Sequence, residues 1–135
     1  MYALEVRDHI MIAHSLPGEA FGPAQGMHGA TFVIDVAFFR ESLTDNDIVV
    51  DIGLAADALK RVIAPVNYRN LDELDLFGGK RSTTEVLCKY VFDAMSAEIA
   101  AGHLGEDARE IVKLKVTLNE SHVARAWLEG PVAGA

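Results

Sequence analysis

The sequence predicts an α+β domain in which two helices pack on an antiparallel sheet, in the order strand, strand, helix, helix, strand, strand. Segments that alternate in polarity, or are rich in β-branched and aromatic residues, lie near both ends of the chain. Two segments with helical apolar spacing lie between them, and no short-period repeat or low-complexity linker divides the 135 residues. That length suits one hydrophobic core, and an apolar content of 50% is enough to fill it. A single domain is expected over residues 1–130, with 131–135 as a flexible tail.

Residues 2–14 mix charges into an apolar run with β-type spacing, and 30–40, "ATFVIDVAFFR", read as a second strand from their β-branched and aromatic content. Between them "SLPGEAFGPAQGMHG" holds two prolines and four glycines, the composition of a long loop, and long loops in compact domains are often functional. "LAADALKRVIAPV" places Leu54, Ala58, Leu59, Val62 and Ile63 on one helical face, with Pro65 at its end and Asp51 orienting the turn into it. A polar connector follows. Ser82 and Glu85 have the spacing of a capping box, Leu87, Val91, Met95 and Ile99 form one stripe, and Gly102 supplies a stop, so a second helix is expected over this stretch. "EIVKLKVTLNE" then alternates Lys113, Lys115 and Thr117 against Leu114, Val116 and Leu118, a strand with one wet face, and "HVARAWLE" alternates again.

Twelve basic against twenty acidic residues give a net charge of -8, so a phosphate backbone is repelled over most of the surface and nucleic acid is not an expected partner. No apolar run reaches membrane-spanning length, and Glu5, Arg7 and Asp8 interrupt the stretch where a signal peptide needs apolar residues. A cytoplasmic protein without a membrane partner is therefore expected. The single cysteine, Cys88, cannot pair within the chain; among Leu87 and Val91 it reads as a small core residue rather than a nucleophile.

Two of the five histidines, His14 and His28, bracket the long loop, and paired strands can bring them together. Taken alone they fit surface or core histidines as well as ligands. The motifs "IAHSL", "HGA", "IVVDIGLAADALK", "NYRNLD", "STTEVLCKYVFDAM" and "LNES", however, run in an order and spacing that resemble the 6-pyruvoyltetrahydropterin and 6-carboxytetrahydropterin synthase family over nearly the whole chain. The resemblance implies the T-fold, in which sheets of neighbouring subunits join into barrels, and it implies a homohexamer.

In that family three histidines hold a catalytic zinc, a loop cysteine acts as base with an Asp-His pair from another subunit, and a glutamate anchors the pterin ring. By that resemblance His14 and His28 match the first two zinc ligands, while Ala30 stands at the third. His9 is five residues from His14 and points to the other strand face. The loop has no cysteine, and Val66, Asn67 and Tyr68 occupy the Asp-His motif. An amide exchanges no proton, and a phenol with a pKa of about 10 is a poor base at neutral pH. The resemblance thus implies no zinc cofactor and no catalytic residue.

The ring-binding positions are kept. Glu120 matches the anchoring glutamate, and Thr83, Thr84 and Glu85 match residues lining the pterin pocket. The expected ligand set is Glu120, Thr83, Thr84, Glu85, His28 and His14, with a pterin-like small molecule and further copies of the chain as partners. The expected function is a synthase homologue that binds a pterin-like ligand without the zinc-dependent reaction. Two alternatives stand beside it: an enzyme of lyase or hydrolase chemistry with a rebuilt metal site that uses a residue such as Glu19, and a structural oligomer with a vestigial pocket. Tyr68 and Arg69 are candidates to meet a ligand's tail across a subunit interface.

Overall fold

A computed structural model describes residues 1–134. The predicted order is present: β1 (Tyr2–His14), β2 (His28–Arg40), α1 (Ile52–Ile63), α2 (Thr84–Ala100), β3 (Lys113–Asn119) and β4 (Arg125–Pro131). Short 3-10 turns at Glu19–Gln25, Leu71–Glu73 and Glu106–Glu110 punctuate the connections. The strands form one four-stranded sheet in the order β1-β2-β3-β4, every neighbour antiparallel.

The register decides which side chains meet the helices. Val6 lies opposite Val36, Val36 opposite Val116, and Val116 opposite Leu128. The row beside it joins Ile34 to Leu118, and the next joins Phe38 to Leu114. All of these face one side and are buried or half-buried, so even-numbered residues look inward on all four strands. A slip of one residue would turn this whole set to solvent, which fixes the pairing. α1 packs on β1, and α2 packs on β3 and β4, closing a single core that includes Leu59, Val62, Leu87 and Met95. No helix among the described residues is long and apolar enough to cross a membrane.

Four boundaries differ from the sequence expectation. β2 begins at His28 rather than 30, because its pairing with β1 runs on until His14 meets His28. α1 begins at Ile52, where Asp51 Oδ1 accepts the Leu54 N–H at 2.9 Å. The cap of α2 is Thr83 and not Ser82: Thr83 Oγ1 accepts the Val86 N–H at 3.2 Å, while Ser82 turns toward the sheet. Of the tail, Pro131 ends β4, Val132 is buried, and the Ala133 N–H donates to Ser96 Oγ; Ala135 lies outside the described residues.

Arg40, at the end of β2, is buried and fastens three segments. Its guanidinium donates to Ser42 O, Val49 O, Asp107 O and Glu110 Oε2 at 2.6 to 3.2 Å, so the ion is taken from water only because its donors are met. This anchors the segment after β2 against the turn before β3.

The assignment of the α2 cap is checked by Thr83→Ala, which should lower unfolding free energy by about 1 kcal/mol in urea titrations. No loss would return the cap to Ser82.

Candidate functional site

At the end of β1 the strand pairing sets His14 directly across from His28, both on the inward face. Their rings meet edge to face with centroids 4.6 Å apart, and Phe32 closes the far side of His14. His14 Nδ1 lies 3.0 Å from both the carbonyl and the hydroxyl of Ser82, and His28 Nδ1 lies 2.9 Å from Gly26 O. A carbonyl oxygen can only accept, so in the neutral rings each Nδ1 carries the proton and each Nε2 keeps its lone pair. Burial lowers the pKa of His14, and the neighbouring His28 lowers it further, against the opposing pull of Ser82, Asp72 and Glu120. His14 is therefore held neutral.

Asp72, which the sequence did not single out, completes this corner. Its carboxylate accepts Ser15 N–H at 3.1 and 3.2 Å and Ser15 Oγ–H at 2.5 Å. The hydrogen bond from Ser15 is the main reason its pKa is lowered, with smaller help from the fields of His14 and His28. Asn70 caps the 3-10 turn by accepting the Asp72 N–H, which aims the carboxylate at the start of the long loop. A cleft of about 350 Å3 lined by Ser15, Asp72, Phe77, Arg81 and Ser82 opens beside it.

The second half of the site is the junction of β3 with α2. Glu120 follows β3 directly and begins a tight turn, in which its own N–H and that of Ser121 both donate to Ala124 O. Glu120 is exposed, and its Oε2 accepts from Thr84 Oγ1 at 3.3 Å. The α2 N-terminus thus faces the strand end, with the hydroxyl of Thr83 already used as the cap. Glu85 lies in the first helical turn, exposed and without a side-chain hydrogen bond among the described residues. Ser82, one residue before the cap, joins this junction to His14.

The 6-pyruvoyl tetrahydropterin synthase family profile matches residues 3–131. This chain belongs to that family. Solved structures agree in fold: the Caenorhabditis elegans 6-pyruvoyl tetrahydropterin synthase superposes with a TM-score of 0.80 at 23% identity, covering 96% of this chain and 95% of that one. A catalytic-residue mutant of the Plasmodium vivax enzyme gives 0.77 at 16% identity over 97% and 98% of the two chains. The Plasmodium falciparum enzyme gives 0.75 at 14% over 96% and 99%. No curated protein matches the chain.

Measured against the family's zinc site, the donor set here does not fit. Ala30 shares the inward face with His28 and lies opposite Ile12, so the position two residues on offers a methyl group. His9 pairs with Val33 on the outer face, and Glu19 is exposed in the loop's 3-10 turn. No three His, Cys, Asp or Glu side chains converge among the described residues in a way that could hold a metal, and two imidazoles leave a zinc site short.

The side chain of Asn67 and the backbone of Tyr68 are engaged by β1. Asn67 Oδ1 accepts the Met11 N–H, the Tyr68 N–H donates to Met11 O at 2.7 Å, and Arg69 O accepts the Ala13 N–H, clamping the connector to the edge of β1. Tyr68 holds a left-handed backbone with φ 60° and is 74% exposed. Cys88 is buried, donates to Ala126 O, and burial pushes its thiol up to about 11, which keeps it from acting as a thiolate at neutral pH.

The neutral state of His14 has a measurable consequence. Its folded pKa lies below the ordinary value of 6.5, so just below that pH the unfolded chain binds more protons and stability falls as pH falls. Urea unfolding at pH 7.5 and 5.5 should show this loss, and His14→Gln should flatten it. An undiminished slope in the variant would assign the effect to another group.

Proposed function

We propose that this chain is a pterin-binding member of the family that acts as an assembly of copies and does not run the zinc-dependent synthase reaction. The observation that carries the reading is the meeting of Glu120 with Thr84 at the N-terminus of α2, beside a histidine pair without a third ligand. A 2-amino-4-oxo heterocycle presents an N–H and an amino group side by side, and both can donate to the two oxygens of Glu120 as a charge-assisted pair. The first turn of α2 leaves backbone N–H groups near Thr84 and Glu85 for the ring's acceptors. His14 and His28 offer Nε2 lone pairs, which suit hydroxyl groups on a ligand's tail.

Chemistry is another matter. The loop lacks the family's cysteine, and an amide and a phenol, Asn67 and Tyr68, stand where the Asp-His pair would be, with the Asn67 side chain already bound to the Met11 N–H. Binding without turnover follows from what remains. The synthase names belong to the structural relatives; the residues that would carry that reaction differ here.

Self-association is supported by the sheet's two edges. The N–H groups of Met11 and Ala13 point away from β2 into the connector, so by alternation those of Ala3, Glu5 and Arg7 point to an edge without a neighbour among the described residues, while that of His9 donates to Asp8 Oδ1. β4, at the other edge, also has one side unpaired, and its seven residues suit that open stretch. A second copy's β4 on β1 would satisfy both rows.

Glu120→Gln should weaken binding of a pterin by about 1.5 to 3 kcal/mol in isothermal titration, the range for a lost charged hydrogen bond. Unchanged affinity would remove Glu120 as anchor, and no binding by the unaltered protein would favour a structural oligomer. Purified protein should carry well below one zinc per chain and leave dihydroneopterin triphosphate unconverted; stoichiometric zinc with turnover would overturn the reading. Glu5→Pro removes one outward N–H from β1, so it should lower the mass seen by light scattering toward the monomer while keeping the circular dichroism spectrum. An unaltered mass would exclude this edge.

A further inference from the structure

The outer face of the sheet, away from the helices, carries a second polar cleft that the ring pocket does not explain. It encloses about 360 Å3 and is lined by Arg7, Thr31, Val33, Asn119, Glu120 and Arg125, among others. Its floor is a fixed ion pair. Arg7 donates from Nε and Nη2 to the two oxygens of Asp35 at 2.6 and 2.9 Å, and Asn119 Nδ2 donates to Asp35 Oδ2 at 3.1 Å and to Val33 O at 3.0 Å.

Asp35 is buried while Arg7 is exposed, so the carboxylate works from below to hold the guanidinium in place. A guanidinium has five N–H donors in a planar fork. Two are bound to Asp35, which leaves the Nη1 pair and one Nη2 hydrogen without a protein acceptor among the described residues.

Across the cleft, Arg125 lies opposite Asn119 in the β3–β4 register. It has neither a hydrogen bond nor an ion pair among the described residues, although its charge reaches Asp35 and helps keep that carboxyl ionised. The formal charges at the cleft, Arg7 and Arg125 against Asp35 and Glu120, balance, so what favours an anion there is the placement of free donors. Asp35 is matched to Arg7, and Glu120 is engaged by Thr84 on the helix side, but Arg125 and the outward edge of Arg7 have no acceptor. On a chain of net charge -8, a cleft whose charges balance and whose two guanidiniums keep free donors repels an anion less than the acidic surface as a whole does.

We infer that this cleft is an anion subsite in which Arg125 and the outward edge of Arg7 bind a phosphate or carboxylate group, with Thr31 supplying a hydroxyl donor. The cleft shares Glu120 with the proposed ring site. An anion can therefore enter free, or as a substituent of a ligand whose ring is held at Glu120.

The test uses the full chain at low ionic strength, with inorganic phosphate as probe and sodium chloride of matched ionic strength as control. Phosphate should raise Tm by roughly 3 °C over chloride. Arg125→Ala should abolish the difference, and Arg125→Lys, which keeps the charge but not the fork, should restore part of it. Glu120→Gln removes a neighbouring negative charge, so it should strengthen phosphate binding while weakening a pterin, and this opposite response separates the subsite from the ring pocket. If a pterin fails to bind but phosphate still acts through Arg125, the ring reading falls and the subsite stands. No phosphate-specific shift, or one that survives Arg125→Ala, overturns the subsite; a pterin carrying a carboxylate that binds no tighter than the bare ring shows that only the free anion uses it.

Discussion

The structure depends on the pairing of β1 with β2 through thirteen residues, from Tyr2 opposite Arg40 to His14 opposite His28. This single register sorts every side chain of the two strands into a face that meets the helices and a face that does not. On the inner side it delivers Ile10, Phe32, Ile34 and Phe38 to the core and then, at the last step, two imidazoles to each other. On the outer side it delivers Arg7 to Asp35. The same hydrogen-bond ladder thus builds the hydrophobic layer, the histidine corner and the ion pair, and none of the three can move without the others.

The fold was legible because its elements obey simple periods. Alternation in "KLKVTL" and the stripe of Leu87, Val91, Met95 and Ile99 are local patterns, and local patterns survive into three dimensions when the core agrees with them. The cap of α2 was misread because Ser82 and Thr83 are adjacent and chemically alike. What separates them is His14, 68 positions from Ser82, whose ring draws that serine away from the helix. Asp72 was not visible for the same reason: its partner Ser15 is 57 positions away, and a carboxylate in a polar connector reads as solvated. Cys88 and His9 were placed correctly because burial and strand parity need no distant partner.

The candidate site was legible chiefly through resemblance. Composition and spacing mark His14 and His28 as a pair worth attention, yet nothing in them gives Glu120 more weight than any strand-end carboxylate. What the structure adds is second-order support: Ser82 and Gly26 orient the imidazoles, Asn70 orients Asp72, and Thr84 touches Glu120. Partners of this kind usually position metal ligands, and here they persist around two imidazoles with a methyl group at the third position.

The clamp of Asn67, Tyr68 and Arg69 over the upper part of β1 has one more consequence, for the chain's resistance to aggregation. A bare strand of thirteen residues would be a template for indiscriminate pairing, the seed of fibrous aggregates. The connector covers the apolar half, around Met11 and Ala13, and leaves open the half where Glu5, Arg7 and His9 project as gatekeepers. The left-handed backbone at Tyr68 is thus part of a guard that keeps half of the strand's edge from serving as a template.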